Sequence, residues 1–346
     1  MRKIMSILLF VYVMSFSATA NAVYKDIPNT HWGAETAKWA VTSGYMAAYD
    51  GYFSPNKQIP RIDAIVALAA MNGIKDTPST KILPFEDFSP AEKGYGVIVQ
   101  LVDLNVIDLR QNFNPQQPMT RAQMAKILAL LFNINVDLKN NAKFDDVPSV
   151  YWGKSYIETL ADINIIDASQ PRFYPHRPLT KLHLAAYMER MTKFQQQLKN
   201  NEVIYDYLQK EYIYTFQYNK KWVKSVVELV NVERKKNKLK PLVLDDKLSQ
   251  IAIIKANDMI EHNYFEHRSP LYGRSWELAS LFGYRFTALA ENLARNYATP
   301  AEAMAGWMAS DTHRANILSS KFTHIGLGVQ KKKDGSYYWV QLFSTK

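Results

Sequence analysis

Apolar residues recur at helical spacing in short bursts through most of the chain. Met124, Ile127, Leu128 and Leu131 fall on one helical face, and so do Val226, Leu229 and Val230, and Leu248, Ile251, Ala252, Ala256 and Met259. The last two bursts predict a pair of amphipathic helices around a loop at Pro241. Near the end the period changes. Ile325-Gly326-Leu327-Gly328-Val329 and Tyr337-Tyr338-Trp339-Val340-Gln341-Leu342-Phe343 flank Asp334-Gly335, which predicts a β-hairpin and makes the C-terminal region α+β.

The first half repeats itself. Tyr24-Lys25-Asp26-Ile27, Phe85-Glu86-Asp87-Phe88 and Phe144-Asp145-Asp146-Val147 open three units. Each continues to an aromatic-x-Pro turn, at Phe53-Ser54-Pro55, Phe113-Asn114-Pro115 and Phe173-Tyr174-Pro175, with a basic residue six positions after the proline: Arg61, Arg121 and Lys181. Each unit reads as helix, Pro-bearing loop, helix. The first helices stop at Gly44, Asn105 and Asn164, the residue types that tolerate a left-handed cap. Thr120-Arg121-Ala122-Gln123 has the form of a capping box. Residues 193–219, with neither Gly nor Pro, predict a helical or extended linker.

Composition narrows the setting. Arg2 and Lys3, an apolar run from Ile4 to Phe16 and Ala20-Asn21-Ala22 predict a secretory signal peptide over residues 1–22, too short in its apolar part to span a membrane. No later segment is apolar enough to cross one. The absence of cysteine in 346 residues excludes disulfides, thiolate metal ligands and cysteine nucleophiles. The net charge of +10 sits mostly in residues 220–346, where 20 Lys and Arg face 12 Asp and Glu; residues 23–219 carry 20 of each. Such a domain is drawn to anionic wall polymers or head groups.

Phe144-Asp145-Asp146-Val147-Pro148, His31-Trp32, Tyr151-Trp152 and Thr120-Arg121-Ala122-Gln123 resemble the S-layer homology (SLH) family, over residues 23–76, 84–134 and 143–192. The resemblance implies an all-α pseudo-threefold SLH assembly that binds secondary cell-wall polysaccharide non-covalently. It makes Arg61, Arg121, Lys181, Trp32 and Trp152 the candidate polysaccharide-binding residues. The units differ: the first has Pro60-Arg61-Ile62-Asp63, the third Thr180-Lys181-Leu182-His183, and the second has Lys93-Gly94-Tyr95 where a Trp is expected. Lysine lacks the planar fork of arginine, so unequal grooves are expected.

Three polar groups stand out in residues 220–346. His267 follows a helix, Glu291-Asn292 follows the apolar turn Thr287-Ala288-Leu289-Ala290, and His313 lies in His313-Arg314-Ala315-Asn316-Ile317-Leu318. Two imidazoles and a carboxylate suit zinc or another divalent cation. Their order, with Asn231-Val232-Glu233-Arg234, Trp307 and the closing Gly-x-Gly-Val strand, closely resembles the bacterial branch of the CAP (SCP-like) superfamily. That implies an α-β-α sandwich with a cleft at His267, Glu291 and His313. Ser310 stands at the family's second acidic position, with Asp311 adjacent as its substitute.

The combined expectation is a secreted, wall- or S-layer-associated multidomain protein whose partners are wall polysaccharide and the peptidoglycan-associated surface, with no nucleic acid. Its CAP-like domain serves binding rather than catalysis. The alternatives are a metal-assisted hydrolase or protease acting through the His267/Glu291/His313 cleft, and lipid capture. Against an enzyme, the chain has no His-Glu-x-x-His or Gly-x-Ser-x-Gly, so no catalytic residue is assigned; Ser310 and His313, one helical turn apart, are the nearest approach to a nucleophile and base.

Overall fold

The computed structural model describes residues 23–136 and 142–346, so the predicted signal peptide lies outside the described residues. The helices and strands in chain order are α1 (Ala34–Thr42), α2 (Arg61–Met71), α3 (Tyr95–Asp103), α4 (Arg121–Leu131), α5 (Lys154–Asp162), α6 (Lys181–Lys199), β1 (Val203–Asp206), β2 (Glu211–Tyr214), α7 (Asn219–Lys236), β3 (Val243–Leu244), α8 (Asp246–Glu261), α9 (Ser275–Leu281), β4 (Ala288–Arg295), α10 (Pro300–Ala309), α11 (Asp311–Ile317), β5 (His324–Lys331) and β6 (Tyr337–Thr345). They form two compact units, one of residues up to 134 with 174–189, the other of 135–173 with 190–346. The third repeat contributes to both.

In the first unit the aromatic-x-Pro loops are joined in cyclic order. Met119 N–H donates to Ile59 O, Leu179 N–H to Met119 O and Ile59 N–H to Leu179 O, at 3.1, 2.7 and 3.1 Å. Arg61, Arg121 and Lys181 donate their backbone N–H in the opposite sense, to the carbonyls of Gln117, Arg177 and Lys57. These are the first helical residues of α2, α4 and α6, whose amide N–H groups have no partner inside their helices, so each helix start is satisfied by another repeat. The capping box is present: Thr120 Oγ1 accepts from Gln123 N–H, and the Gln123 side chain accepts from Thr120 N–H.

The aspartate of each repeat has a structural task. Asp26 accepts the backbone N–H of Phe53 (2.9 Å) and Ser54 (2.6 Å), and Asp87 those of Phe113 (2.6 Å) and Asn114 (2.7 Å). In the second unit Asp146 accepts from Phe173 N–H at 2.8 Å. Ser54, Asn114 and Tyr174 have φ of 62°, 56° and 58°, a left-handed conformation that asparagine tolerates but serine and tyrosine disfavour. In the first two repeats the carboxylate clamp holds this conformation in place. The helix stops Gly44, Asn105 and Asn164 are also left-handed, as their residue types predict.

The second unit centres on a four-stranded sheet in the order β3-β5-β6-β4, antiparallel except for the β3–β5 pair. Side chains alternate across it. Leu293, Val340 and Leu342 pack with α8 and α9 on one face; Ala294, Trp339 and Phe343 pack with α7, α10 and α11 on the other. Helix α8 lies directly on β5. A Cβ added to Gly326 would fall 2.4 Å from the Leu248 carbonyl carbon, and one on Gly328 2.5 Å from Ile253 N, so the Gly-x-Gly pair is where the helix backbone touches the strand.

Two expectations change. The linker is helical and then extended, as its composition predicts, but it is not a mere spacer: α6 continues to Lys199, and β1 and β2 then form an antiparallel pair in which Ile204 and Ile213 join the core beneath α8. Tyr212 Oη accepts from Asn135 N–H at 2.9 Å, and Tyr214 Oη from Asn164 Nδ2. The segment from Ala288 to Ala290 is part of strand β4 rather than a turn.

Candidate functional site

Strand β4 is an edge strand, and its position sets out the cleft. On its free side, Leu293 O accepts from Trp307 Nε1 (3.2 Å) and Glu291 O from Asn316 Nδ2 (3.4 Å), so α10 and α11 seal an edge that would otherwise invite pairing. Asn292, wholly buried, ties the two layers together by donating to His313 O (3.0 Å) and Gln341 Oε1 (3.1 Å) and accepting from Asn316 Nδ2 (2.9 Å). This network fixes the backbone of His313 beside Glu291.

The loop between α8 and α9 brings His267 to the same place, 24 residues from Glu291 in sequence. His267 Nδ1 and Glu291 Oε1 lie 2.7 Å apart, the carboxylate buried and the imidazole more than half exposed. The hydrogen bond to Glu291 raises the His267 pKa against the opposing effect of burial. His313 is pushed the other way, first by burial and then by the nearby charge of His267. Glu291 Oε2 is buried without a hydrogen bond.

The three sequence candidates are therefore neighbours, but not a set of three ligands. Among the described residues no group of three His, Asp or Glu side chains is disposed to hold a metal ion. The reason is visible in the geometry: the Glu291 carboxylate is engaged by His267 Nδ1, as an outer partner orients an imidazole. His313 lies within electrostatic reach of His267, with Glu291 behind the latter. Ser310 and Asp311 do not join the cleft group. The Ser310 hydroxyl lies 3.2 Å from Thr312 Oγ1, and the Asp311 side chain, 91% exposed, pairs with Arg314.

Sequence reading missed Lys255 and Tyr264. Lys255, on the buried face of α8, is 1% exposed; its Nζ donates to Tyr264 Oη at 2.9 Å, and Tyr264 donates to Asp258. Burial lowers the Lys255 pKa, opposed by the charges of Glu291, Asp258 and Glu266. Lys255 is thus the buried cation that offsets the buried carboxylates. Its signal was available, since it falls four positions after Ile251 and seven after Leu248, on the apolar stripe.

The polysaccharide candidates are more dispersed. Arg61 donates to Phe113 O (2.9 Å) and reaches Gln123 Oε1 (3.5 Å); the Arg121 guanidinium lies 5.9 Å over the Tyr187 ring; Lys181 donates to Ala47 O (2.5 Å) above the Phe53 ring. These cations brace the repeats. Trp32 is 60% exposed and stacked on His183, and Trp152 is 53% exposed beside Tyr151. In the second repeat the corresponding aromatic, Tyr95, is buried, accepting from Leu83 N–H and donating to Lys81 O. A cavity of about 690 Å³ in the first unit is lined by Tyr45, Tyr49, Lys57, Asp63, Lys93 and Lys181 among others.

Comparison with known proteins agrees with these two architectures. The model described as S-layer homology domain matches residues 23–65, 84–125 and 143–185, and the CAP model, described as Cysteine-rich secretory protein family, matches 227–343. The chain carries three SLH domains followed by a CAP domain. The CAP domain is similar to the uncharacterized protein YkwD of Bacillus subtilis (strain 168), 46% identical over 123 residues, which are 36% of this chain and 47% of that protein. The SLH region is similar to the S-layer protein sap of Bacillus anthracis, 24% identical over 185 residues, 52% of this chain and 22% of that protein. A solved extracellular SCP-domain protein of Bacillus anthracis str. Ames is 25% identical with a TM-score of 0.35, covering 44% of this chain and 50% of that one. The chain spans less than half the length of these curated relatives. The SLH domains and S-layer relatives support association with the cell surface. Among the described residues no helix is long and apolar enough to cross a membrane.

Proposed function

We propose that the three SLH domains close a pseudo-threefold assembly that holds the protein non-covalently to an acidic secondary wall polysaccharide. The CAP domain is thereby displayed outside the cell for binding rather than catalysis. The observation that carries this reading is the 690 Å³ cavity, in which three lysines gather beside two tyrosines: cations for a carboxylate or ketal acid, rings for a sugar face. The cyclic backbone bonds between repeats support the threefold arrangement. The test is retention of the full chain by purified sacculi. Retention falls when the polysaccharide is stripped and in a Lys57→Ala/Lys93→Ala variant of unchanged thermal stability; equal retention by stripped sacculi overturns the reading.

The His267–Glu291 contact favours a second reading for the CAP cleft, a divalent cation held by His267 and His313 with Glu291 orienting the first imidazole. Such a cation would supply Lewis-acid polarisation of a bound ligand or water. His313, with its lowered pKa, keeps a free lone pair at neutral pH. Calorimetry with zinc ions reads this directly: uptake near neutral pH that is lost in His267→Ala and His313→Ala supports it, and uptake unchanged in the double variant refutes it.

A further inference from the structure

Residues 186–226 belong to neither matched domain, yet they build one wall of a cavity of about 220 Å³ against the CAP core. The β1–β2 pair contributes Asp206, Gln209 and Glu211; α8 contributes Ile254, Asn257, Asp258 and Glu261; His262 and Tyr272 complete it. Four carboxylates line this small space, within residues 206–262, next to a domain whose overall excess is basic. Lys255, within electrostatic reach of Asp258, offsets part of that charge.

Two of the four carboxylates are buried, and they differ. Asp206 is fully engaged, accepting from Leu208 N–H, Gln209 N–H and the Tyr272 hydroxyl. Asp258, 4% exposed, is not. Its Oδ2 accepts from Tyr264, but Oδ1 is buried without a hydrogen bond. His262 Nδ1 lies 2.9 Å from that oxygen, yet its hydrogen bond is directed at the Asp258 carbonyl oxygen, 3.2 Å away. A buried carboxylate oxygen without a hydrogen bond, its one near nitrogen directed elsewhere, is costly and marks a place where a ligand donor gains most.

We propose that this cavity binds an alkylammonium group, such as a lysine side chain or a free diamine. An ammonium offers three donors to a space rich in acceptors. Ile254 and the Tyr272 ring give its methylene stem an apolar seat. The half-exposed His262 imidazole gives way at Oδ1 when the ammonium enters. A metal ion suits the cavity less well, since no three of its His, Asp or Glu side chains are disposed to hold one.

Calorimetry on the full-length protein tests this with Nα-acetyl-lysine methylamide, 1,5-diaminopentane and the neutral Nα-acetyl-norleucine methylamide. The expected result is saturable uptake of an amine but not of norleucine, weakened about tenfold by Glu261→Gln and by Asp258→Asn, the loss of one charge-assisted bond. Tighter binding of the lysine derivative identifies a peptide-borne source, and tighter binding of the diamine a free one. Glu261→Gln, at the exposed end of α8, guards against misfolding in the buried Asp258 variant. The proposal is overturned if folded protein takes up neither amine, if both variants bind like the parent, or if calcium or zinc ions occupy the cavity in place of the amine.

Discussion

The repeats and the CAP domain use their signature polar residues in opposite ways. In the repeats the recurring groups serve mainly the backbone: Asp26 and Asp87 clamp left-handed turns, and Arg61 and Lys181 donate to carbonyls of other repeats, although Arg61 Nε stays buried without a hydrogen bond. In the CAP domain, Asn292 and Asn316 take on that structural work, while Glu291 and Asp258 each keep a buried oxygen without a hydrogen bond. A residue therefore signals architecture where its partners are backbone groups, and one residue can combine that role with an unsatisfied buried atom: Arg61 serves the Phe113 carbonyl through Nη1 while its Nε has no hydrogen bond.

The contrast predicts where substitution hurts most. Gly328→Val should be the most damaging change, because its side chain would meet the backbone of α8 at Ile253; a loss of about 3 kcal/mol or more is expected from overpacking, read by chemical denaturation of the second unit. Asp87→Ala comes next, at about 2 kcal/mol, since two N–H donors lose a charged acceptor and Asn114 loses the clamp on its left-handed turn. If Asp87→Ala proved neutral, the aspartates would have to be reassigned to ligand binding.

Smaller effects sharpen the CAP side. A histidine whose folded pKa is raised above its unfolded value of ~6.5 contributes stability that is complete below ~6.5 and is lost as pH rises through the folded pKa. NMR titration should show this for His267, and Glu291→Gln should bring its midpoint back toward ~6.5. An unmoved midpoint would show that Glu291 does not hold the ring. The smallest effect is expected of Asp311→Ala, within ~0.5 kcal/mol in stability, because its pairing with Arg314 is exposed. Cleft binding should not change with it.

What sequence revealed follows the range of the interactions. The repeat period, the left-handed stops, the capping box and the hairpin at Gly335 rest on contacts within a few residues, and all are present. Strand β4 escaped notice because Ala-Leu-Ala-Glu-Asn-Leu-Ala-Arg has good helix formers and becomes a strand only through its pairing with β6, some fifty residues on. The β1–β2 pair was hidden because Lys210, at φ 57°, occupies a turn position where glycine would have advertised a bend. In the cleft, the residue types pointed to His267, Glu291 and His313, but which carboxylate oxygen was taken, and that Lys255 lies buried behind it, depended on three-dimensional placement.

The cyclic bonding of Ile59, Met119 and Leu179 has a consequence for how such a region can change over time. An open array of repeats has two ends, and can lose or duplicate a member while keeping every remaining junction. A closed ring has no ends. Deleting one member strands a donor on one neighbour and an acceptor on the other, and a fourth has no junction to enter without breaking one. The three loop contacts thus depend on one another through the hydrogen bonding itself, and the side chains around them can differ, as Arg121 and Lys181 do, so long as the backbone circuit stays complete.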